Sequence, residues 1–350
     1  MCDKRALPES RIDLMNRRLI LVFICFLGGA ASAPAWGAGT ALDPAKLRLA
    51  SANVVVLDTA AQRRIYAKAA DDVTPIASLT KLMTAIVVLD AKQPEAEMLE
   101  IETGDFDFLK GSRSRLRMGS TLSRREMLRL ALMSSENRAA STLARHYAGG
   151  TPAFVAAMNA KAIALGMTRT HYADPTGLSA DNVSTANDLA KLVQAAAQYP
   201  LIGEFSTTPA HFVEVQPTGA WLGFNNSNAL VKNQSWDIQL QKTGYIREAG
   251  KCLVMLTTIA SRPVVIVLLD SYGKYTRLGD AQRIKHWLET GEAMAPPTVG
   301  SPQRYHGTFA PRARHATKVA LQVRARSTTE LRKARFAQAH SAKSVPARRV

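Results

Sequence analysis

The segment 79–91 is apolar on almost every face of a helix: Leu82, Met83, Ala85, Ile86, Val87, Val88 and Leu89 leave no solvent stripe. Such a helix is stable only with other elements around it, so the pattern predicts the centre of a domain rather than its surface. The chain has 350 residues, 47% hydrophobic and 21% charged, enough to build that surrounding core as one large domain or two modest ones.

The flanking segments set the fold class. Residues 52–58 and 64–67 read as two short strands around a turn at Thr59-Ala60-Ala61. Ser123-Arg124-Arg125-Glu126 is a capping box that opens a helix running to about Met133. A loop holding Ser135 to Asn137 follows, then another helix. An alanine-rich helix from Thr151 or Pro152 stops at Gly166, which suits a left-handed cap. Asp174-Pro175-Thr176-Gly177 is a turn, and 185–198 is helical again. Beyond Phe212 the pattern switches to strands at 238–246, 252–260 and 263–270, and a helix over about 275–289 closes the domain. Strands at both ends with helices between predict an α+β fold, one antiparallel sheet packed against a helical cluster.

The ends of the chain read differently. Arg17 and Arg18, the short apolar run 19–27 and the small residues up to Ala38 form an export signal, cleaved after Ala33, Ala35 or Ala38. Asp3, Glu9 and Asp13 do not suit such a signal, which makes Met15 the expected true start. Residues 1–38 are therefore assigned to the signal peptide of the general secretory route, 39–291 to the folded domain and 292–350 to a basic tail. The run 19–27 is too short for a permanent membrane span. The tail carries 12 Lys/Arg against two acids and contributes +10 of the net +17, so the high pI belongs to the tail and not to a nucleic-acid-binding fold. Its composition predicts disorder, with adhesion to an anionic wall polymer or membrane as the functional alternative. Cys2 and Cys25 fall in the signal, leaving Cys252 as one thiol and no internal disulfide. Seven scattered histidines show no metal-ligand spacing, and neither a metal nor another cofactor is expected.

Three short strings carry the chemistry: Ser78-Leu79-Thr80-Lys81, Ser135-Glu136-Asn137 and Lys242-Thr243-Gly244. Each alone has a plainer explanation: a first-turn serine, polar loop residues, an exposed edge-strand lysine. Ser271 to Lys274 and Ser51 to Asn53 repeat the first two patterns by chance. Only Ser78 stands at the start of a buried helix, where i to i+3 spacing puts Lys81 one turn away on the same face. A serine needs an adjacent base, and a lysine becomes one only if its pKa falls. Burial, the helix N-terminus and a second cation at Lys242 would lower it. Backbone N–H groups of Ser78 and Tyr245 would then form an oxyanion hole. Lys242 and Thr243 would hold a substrate carboxylate, Gly244 would let substrate approach the strand, and Ser135, with Asn137 positioning groups around it, would relay a proton to the leaving amine.

With these strings the chain resembles the low-molecular-mass penicillin-binding proteins of the D-alanyl-D-alanine peptidase family, and more narrowly the D-alanyl-D-alanine endopeptidases. Ser-Arg-Leu-Arg at 114–117, Met-Ser-Ser-Glu-Asn-Arg-Ala-Ala at 133–140, Asp-Pro-Thr-Gly-Leu-Ser at 174–179 and Gln-Lys-Thr-Gly-Tyr-Ile-Arg-Glu-Ala-Gly at 241–250 carry the likeness across about 52–289. The resemblance implies a β-lactamase/transpeptidase-like fold and a periplasmic hydrolase of peptidoglycan cross-links that β-lactams acylate. In it Ser78 is the nucleophile, Lys81 the proton acceptor, Ser135 the second serine and Lys242 a substrate-binding residue. The related carboxypeptidases usually add a second all-β domain and an amphipathic anchor, and this chain has only the basic tail. A D-Ala-D-Ala carboxypeptidase would share every motif. A serine β-lactamase commonly needs a carboxylate for deacylation, and no glutamate lies between Arg138 and Gly203. A non-catalytic wall-binding protein would have no need of Ser78 and Lys81.

Overall fold

The structure, a computed structural model, describes residues 42–297. The export segment and the tail beyond 297 lie outside the described residues. At the centre is a five-stranded antiparallel sheet built from both ends of the domain: β1 (Asn53–Asp58), β2 (Arg63–Lys68), β9 (Asp237–Ile246), β10 (Gly250–Ile259) and β11 (Arg262–Ser271). Its order is β2-β1-β11-β10-β9, so β2 and β9 are the edges. Short antiparallel pairs accompany it: β3 (Thr74–Pro75) with β6 (Val183–Ser184), β4 (Met98–Glu100) with β5 (Thr121–Ser123), and the hairpin β7 (Ala210–Val215) with β8 (Ala220–Asn225).

Strand alternation sorts the sheet's side chains into two apolar layers. Val55, Val254, Val265, Val267 and Leu269 face the helical cluster, whereas Val54, Val56, Leu253, Met255, Val264, Ile266 and Leu268 face the closing helix α7 (Thr276–Thr290) with its Trp287. Burying one such aliphatic chain contributes ~2 kcal/mol, against ~0–1 kcal/mol for an exposed ion pair. The two layers therefore hold the fold, and the surface salt bridges do little for it.

The helical cluster comprises α1 (Thr80–Asp90), α2 (Arg124–Met133), α3 (Asn137–Arg145), α4 (Gly150–Ala164), α5 (Ala186–Ala196) and α6 (Pro200–Thr207). Residues 80 to 88 of α1 are all buried, and α1 touches each of the other five helices. This is the central position that its all-round apolar sequence predicts. The expected start at Leu79 is a 3-10 turn, Ala77–Leu79, with the α-helix taking over at Thr80. Ser123 caps α2 by accepting from Glu126 N–H at 3.2 Å, but the Glu126 carboxylate turns to His211 at 2.7 Å instead of closing the box. Helix α6 and the start of the hairpin at Ala210 add to the elements expected from the sequence. Among the described residues no helix is long and apolar enough to cross a membrane.

Candidate active site

The site lies on the seam between edge strand β9 and the helical cluster. Ser78 sits in the 3-10 turn that leads into α1, directly after Ala77, whose φ of +48° is unusual for a residue with a side chain. Two glycines hold this turn. A Cβ on Gly177, itself at φ +81°, would fall 2.0 Å from the Ala77 carbonyl oxygen. A Cβ on Gly244 of β9 would lie 3.0 Å from the Ile76 carbonyl oxygen and 3.2 Å from the Ser78 nitrogen. Gly244 thus makes room for the Ser78 backbone.

One helical turn later, Lys81 is fully buried. Its Nζ lies 3.0 Å from Ser78 Oγ, 2.7 Å from Asn137 Oδ1 and 2.7 Å from the Thr176 carbonyl oxygen. Two of these three partners can only accept, and the third is a hydroxyl. A neutral amine, with two hydrogens and one lone pair, satisfies all three by donating to Asn137 and Thr176 and turning its lone pair to Ser78. Burial lowers the Lys81 pKa from 10.5 to about 8, and the carboxylates of Asp174, Glu136 and Asp107 oppose that shift. The expected contribution of Lys242 runs mainly the other way: the Lys242 pKa falls well below its usual value through burial, then through the charges of Lys81 and Arg277.

The acceptor carbonyl comes from the turn at 174–177, laid along one face of α1. Thr84 Oγ1, one turn beyond Lys81, bonds the neighbouring Pro175 carbonyl at 2.6 Å. Asp174 knots the turn, accepting from Thr176 N–H, Thr176 Oγ1 and Gly177 N–H on one oxygen and from Ser179 N–H and Asn182 Nδ2 on the other. Asn137, the first residue of α3, fixes its amide by donating from Nδ2 to Ser112 Oγ at 2.9 Å.

A second pair sits beside the first. Lys242 is buried and donates to Ser135 Oγ at 2.8 Å and to the Thr243 carbonyl at 2.9 Å. Ser135 holds φ +63° in the turn between α2 and α3, strain of a kind that concentrates at functional sites. Thr243 Oγ1 donates to Ser227 Oγ at 2.7 Å, and Arg277 of α7 reaches the Gly244 carbonyl at 3.4 Å. Tyr245 points the other way, 59% exposed. The structure thus brings Ser78, Lys81 and Asn137 into one network and Ser135 and Lys242 into another, with Gly244 packed on the first. The chance matches are absorbed elsewhere: Ser51 hydrogen-bonds Asp280, and Lys274 lies at the surface over the Tyr275 ring.

Sequence reasoning missed Ser112, Ser227 and Arg277, which reach the site from a loop, the segment after the β8 hairpin strand and α7. None has a local spacing to the three strings that could mark it. A depression of about 510 Å³ between β2 and α5, lined among others by Arg64, Asp71, Arg169 and Lys191, is away from all the motif residues.

Comparison with known proteins agrees with this architecture. A family profile described as D-alanyl-D-alanine carboxypeptidase, peptidase S11, matches residues 40–273. The D-alanyl-D-alanine endopeptidase of Pseudomonas aeruginosa is 49% identical over 295 residues, covering 83% of this chain and 94% of the relative. That of Escherichia coli is 47% identical over 293 residues, covering 84% and 93%. Among solved structures, the Streptomyces K15 DD-transpeptidase superposes with a TM-score of 0.65 at 27% identity, covering 69% of this chain and 98% of that one. Penicillin-binding protein D2 of Listeria monocytogenes, in its ampicillin-bound form, gives 0.59 at 29% identity, covering 68% and 96%. The chain has the β-lactamase/transpeptidase-like α+β fold and belongs to the D-alanyl-D-alanine carboxypeptidase family, the S11 serine peptidases.

Proposed function

We propose that the protein is a peptidoglycan DD-endopeptidase that hydrolyses D-alanyl-diaminopimelate cross-links through a serine acyl-enzyme. The observation that carries this is the buried Lys81 amine, 3.0 Å from Ser78 Oγ, with its other two partners able only to accept. Lowering its pKa from 10.5 to about 8 raises the neutral fraction at pH 7 about 300-fold. The neutral amine takes the Ser78 proton as Oγ attacks the D-alanyl carbonyl. The Ser78 and Tyr245 N–H groups stabilise the oxyanion, each worth ~3 kcal/mol of barrier. The C–N bond then breaks, and the proton that Lys81 took passes to the leaving amine through Ser135, which Lys242 holds, leaving Lys81 neutral again. Water hydrolyses the ester, returning the Ser78 hydroxyl and releasing a carboxylic acid.

Thr243, Lys242 and Arg277 supply the cationic, hydroxyl-bearing surface for the carboxylate next to the scissile amide. That carboxylate favours the charged form of Lys242, whose pKa burial and then the charges of Lys81 and Arg277 lower in the free enzyme.

A D-Ala-D-Ala carboxypeptidase would use the same machinery. The two relatives at 49% and 47% identity, both D-alanyl-D-alanine endopeptidases, favour the endopeptidase reading. β-Lactams acylate Ser78 in place of substrate. Export by cleavage of residues 1–38 delivers the enzyme to the periplasm, and the basic tail adds weak contact with the anionic wall or membrane.

Incubation with cross-linked sacculi, followed by separation of muropeptides, tests the function. Dimers should fall and monomers rise with wild type, and neither should change with Ser78→Ala, which should also lose fluorescent-penicillin labelling. Shortening of pentapeptides alone would establish the carboxypeptidase instead.

A further inference from the structure

The string Ser114 to Arg117 has no part in the two networks assigned to acyl transfer, yet the loop that carries it runs beside them. Three contacts fasten this loop. Lys110 pairs with Glu248 of the β9–β10 turn at 2.7 Å, Ser112 Oγ accepts from Asn137 Nδ2 at 2.9 Å, and Arg115 donates to the Gly223 carbonyl of β8. Asn137 also contacts Lys81, so Ser112 stands two hydrogen bonds from the amine. Burial alternates along 112–117. Ser112 and Ser114 are half-buried and Leu116 is buried, whereas Arg113, Arg115 and Arg117 are exposed. The inner residues fix the loop to the body, and the arginines are turned outward beside the site.

A fourth guanidinium joins them. Arg138 of α3 donates to the Leu116 carbonyl and lies 3.8 Å from the centre of the Phe106 ring. Arg115 is held in the same manner, 4.1 Å over the Phe224 ring. Arginines elsewhere in the helical layer are neutralised: Arg124 by Glu97, Arg125 by Glu95, Arg129 by Glu204, and Arg145 by Glu102 and Asp105. Among the described residues, Arg113, Arg115, Arg117 and Arg138 form no salt bridge. The carboxylates of the loop and the β9–β10 turn are already engaged: Asp107 accepts from the Leu109, Lys110 and Ser112 N–H groups, and Glu248 pairs with Lys110. Like charges gathered on one short stretch repel each other, and an anion from outside relieves that repulsion. The guanidinium fork matches the two oxygens of a carboxylate.

Resting on the endopeptidase reading, we propose that Arg113 and Arg117, with Arg115 and Arg138 fixed among them, form an anion-binding rim that takes peptide carboxylates of the cross-link other than the one beside the scissile amide. Diaminopimelate is a dicarboxylate, so a cross-linked pair of peptides carries such groups. The rim adds affinity for the acidic peptide and leaves the acyl-transfer chemistry to the buried networks.

The test compares wild type with Arg113→Gln/Arg117→Gln on two soluble substrates: a cross-linked peptide dimer, and the same dimer amidated at every carboxylate except the one beside the scissile amide. Acylation by fluorescent penicillin, which carries no cross-linked peptide, reports whether fold and nucleophile are intact, and it should match wild type. The double variant should lose roughly tenfold in kcat/KM on the acidic dimer, mainly through KM, the loss of one charge-assisted contact. Wild type should be similarly weakened by amidation, and the variant should lose nothing further on the amidated dimer. Added salt should raise the wild-type KM for the acidic dimer toward that of the variant. Equal losses by the variant on both dimers, no loss on either, a wild-type KM indifferent to salt, or a parallel loss of acylation would overturn the rim. A wild type that cuts neither dimer would sink the endopeptidase reading with it, whereas cleavage of the acidic dimer by the variant at the wild-type KM removes the rim alone.

Discussion

Lys81 and its three partners decide the reaction at the scale of single residues. Because the neutral amine is the base, acylation should rise with pH about tenfold per unit below the Lys81 pKa and level off above it. With that pKa lowered to about 8, the limb should cross neutral pH and flatten in the mildly alkaline range. Stopped-flow acylation by a fluorescent penicillin would measure it, and a flat profile from mildly acidic pH upward would rule Lys81 out as the titrating base. The same geometry predicts how a neighbour tunes that limb. Asn137 Oδ1 is 2.7 Å from Nζ, so Asn137→Asp puts a carboxylate in hydrogen-bond contact with the amine. An adjacent negative charge favours the ammonium and raises the Lys81 pKa. The variant should therefore acylate more slowly at neutral pH and recover as pH rises. A uniform loss at every pH would mean that Asn137 acts on substrate alone.

The element that matters most is the three-residue 3-10 turn carrying Ser78, held between the 174–177 turn and β9. The two glycines that hold it should separate stability from activity. In Gly177→Ala the new methyl would overlap the Ala77 carbonyl at a backbone φ of +81°, so destabilisation of ~2 kcal/mol or more and a clear drop in Tm are expected. In Gly244→Ala the contacts of 3.0–3.2 Å ask only for a small shift of β9 away from Ser78. That should cost ~1 kcal/mol of stability while slowing acylation more than it lowers Tm, as thermal melts beside acylation rates would measure. Equal effects of the two changes on Tm would contradict this division. These elements also mark how far the sequence could be read. The apolar pattern of α1, the alternation in β9 to β11 and the i to i+3 spacing of Ser78 and Lys81 are local signals, and they located the central helix, the sheet and that one pair. The Ala77–Leu79 turn, α6 and the reach of Arg277 to Gly244 arise from packing between segments distant in the chain, which no period of 2 or 3.6 residues records. Lys242 illustrates the limit: its sequence neighbours read equally well as an edge exposed to solvent, and only the helical cluster lying over β9 makes it a buried partner of Ser135.

On the scale of the whole molecule, the site is a seam between two layers, each rigid for its own reason. The sheet buries side chains on both faces, and α1 is packed by five other helices. The ion pair between Lys110 and Glu248, 2.7 Å long and about a third exposed on each side, bridges the seam from the 106–120 loop to the β9–β10 turn. Solvent screening limits such a contact to a few tenths of a kcal/mol, so it orients the loop without holding the layers together. All the groups assigned to acyl transfer lie between Ser78 and Arg277, inside this two-layered body. Chemistry and adhesion should therefore separate cleanly. A chain ending at Pro297 keeps every one of those groups but loses the 12 Lys/Arg from Arg304 onward. Its penicillin acylation rate should stay within about twofold of the full chain, because every group assigned to acyl transfer is kept. Its co-sedimentation with sacculi at low ionic strength should fall, and the full chain's binding should weaken toward the truncated chain's as salt is added, since salt screens the attraction between a basic segment and an anionic polymer. Equal sedimentation of the two chains at low salt would show that the wall is gripped by the folded domain, and the basic tail would then have no part in adhesion.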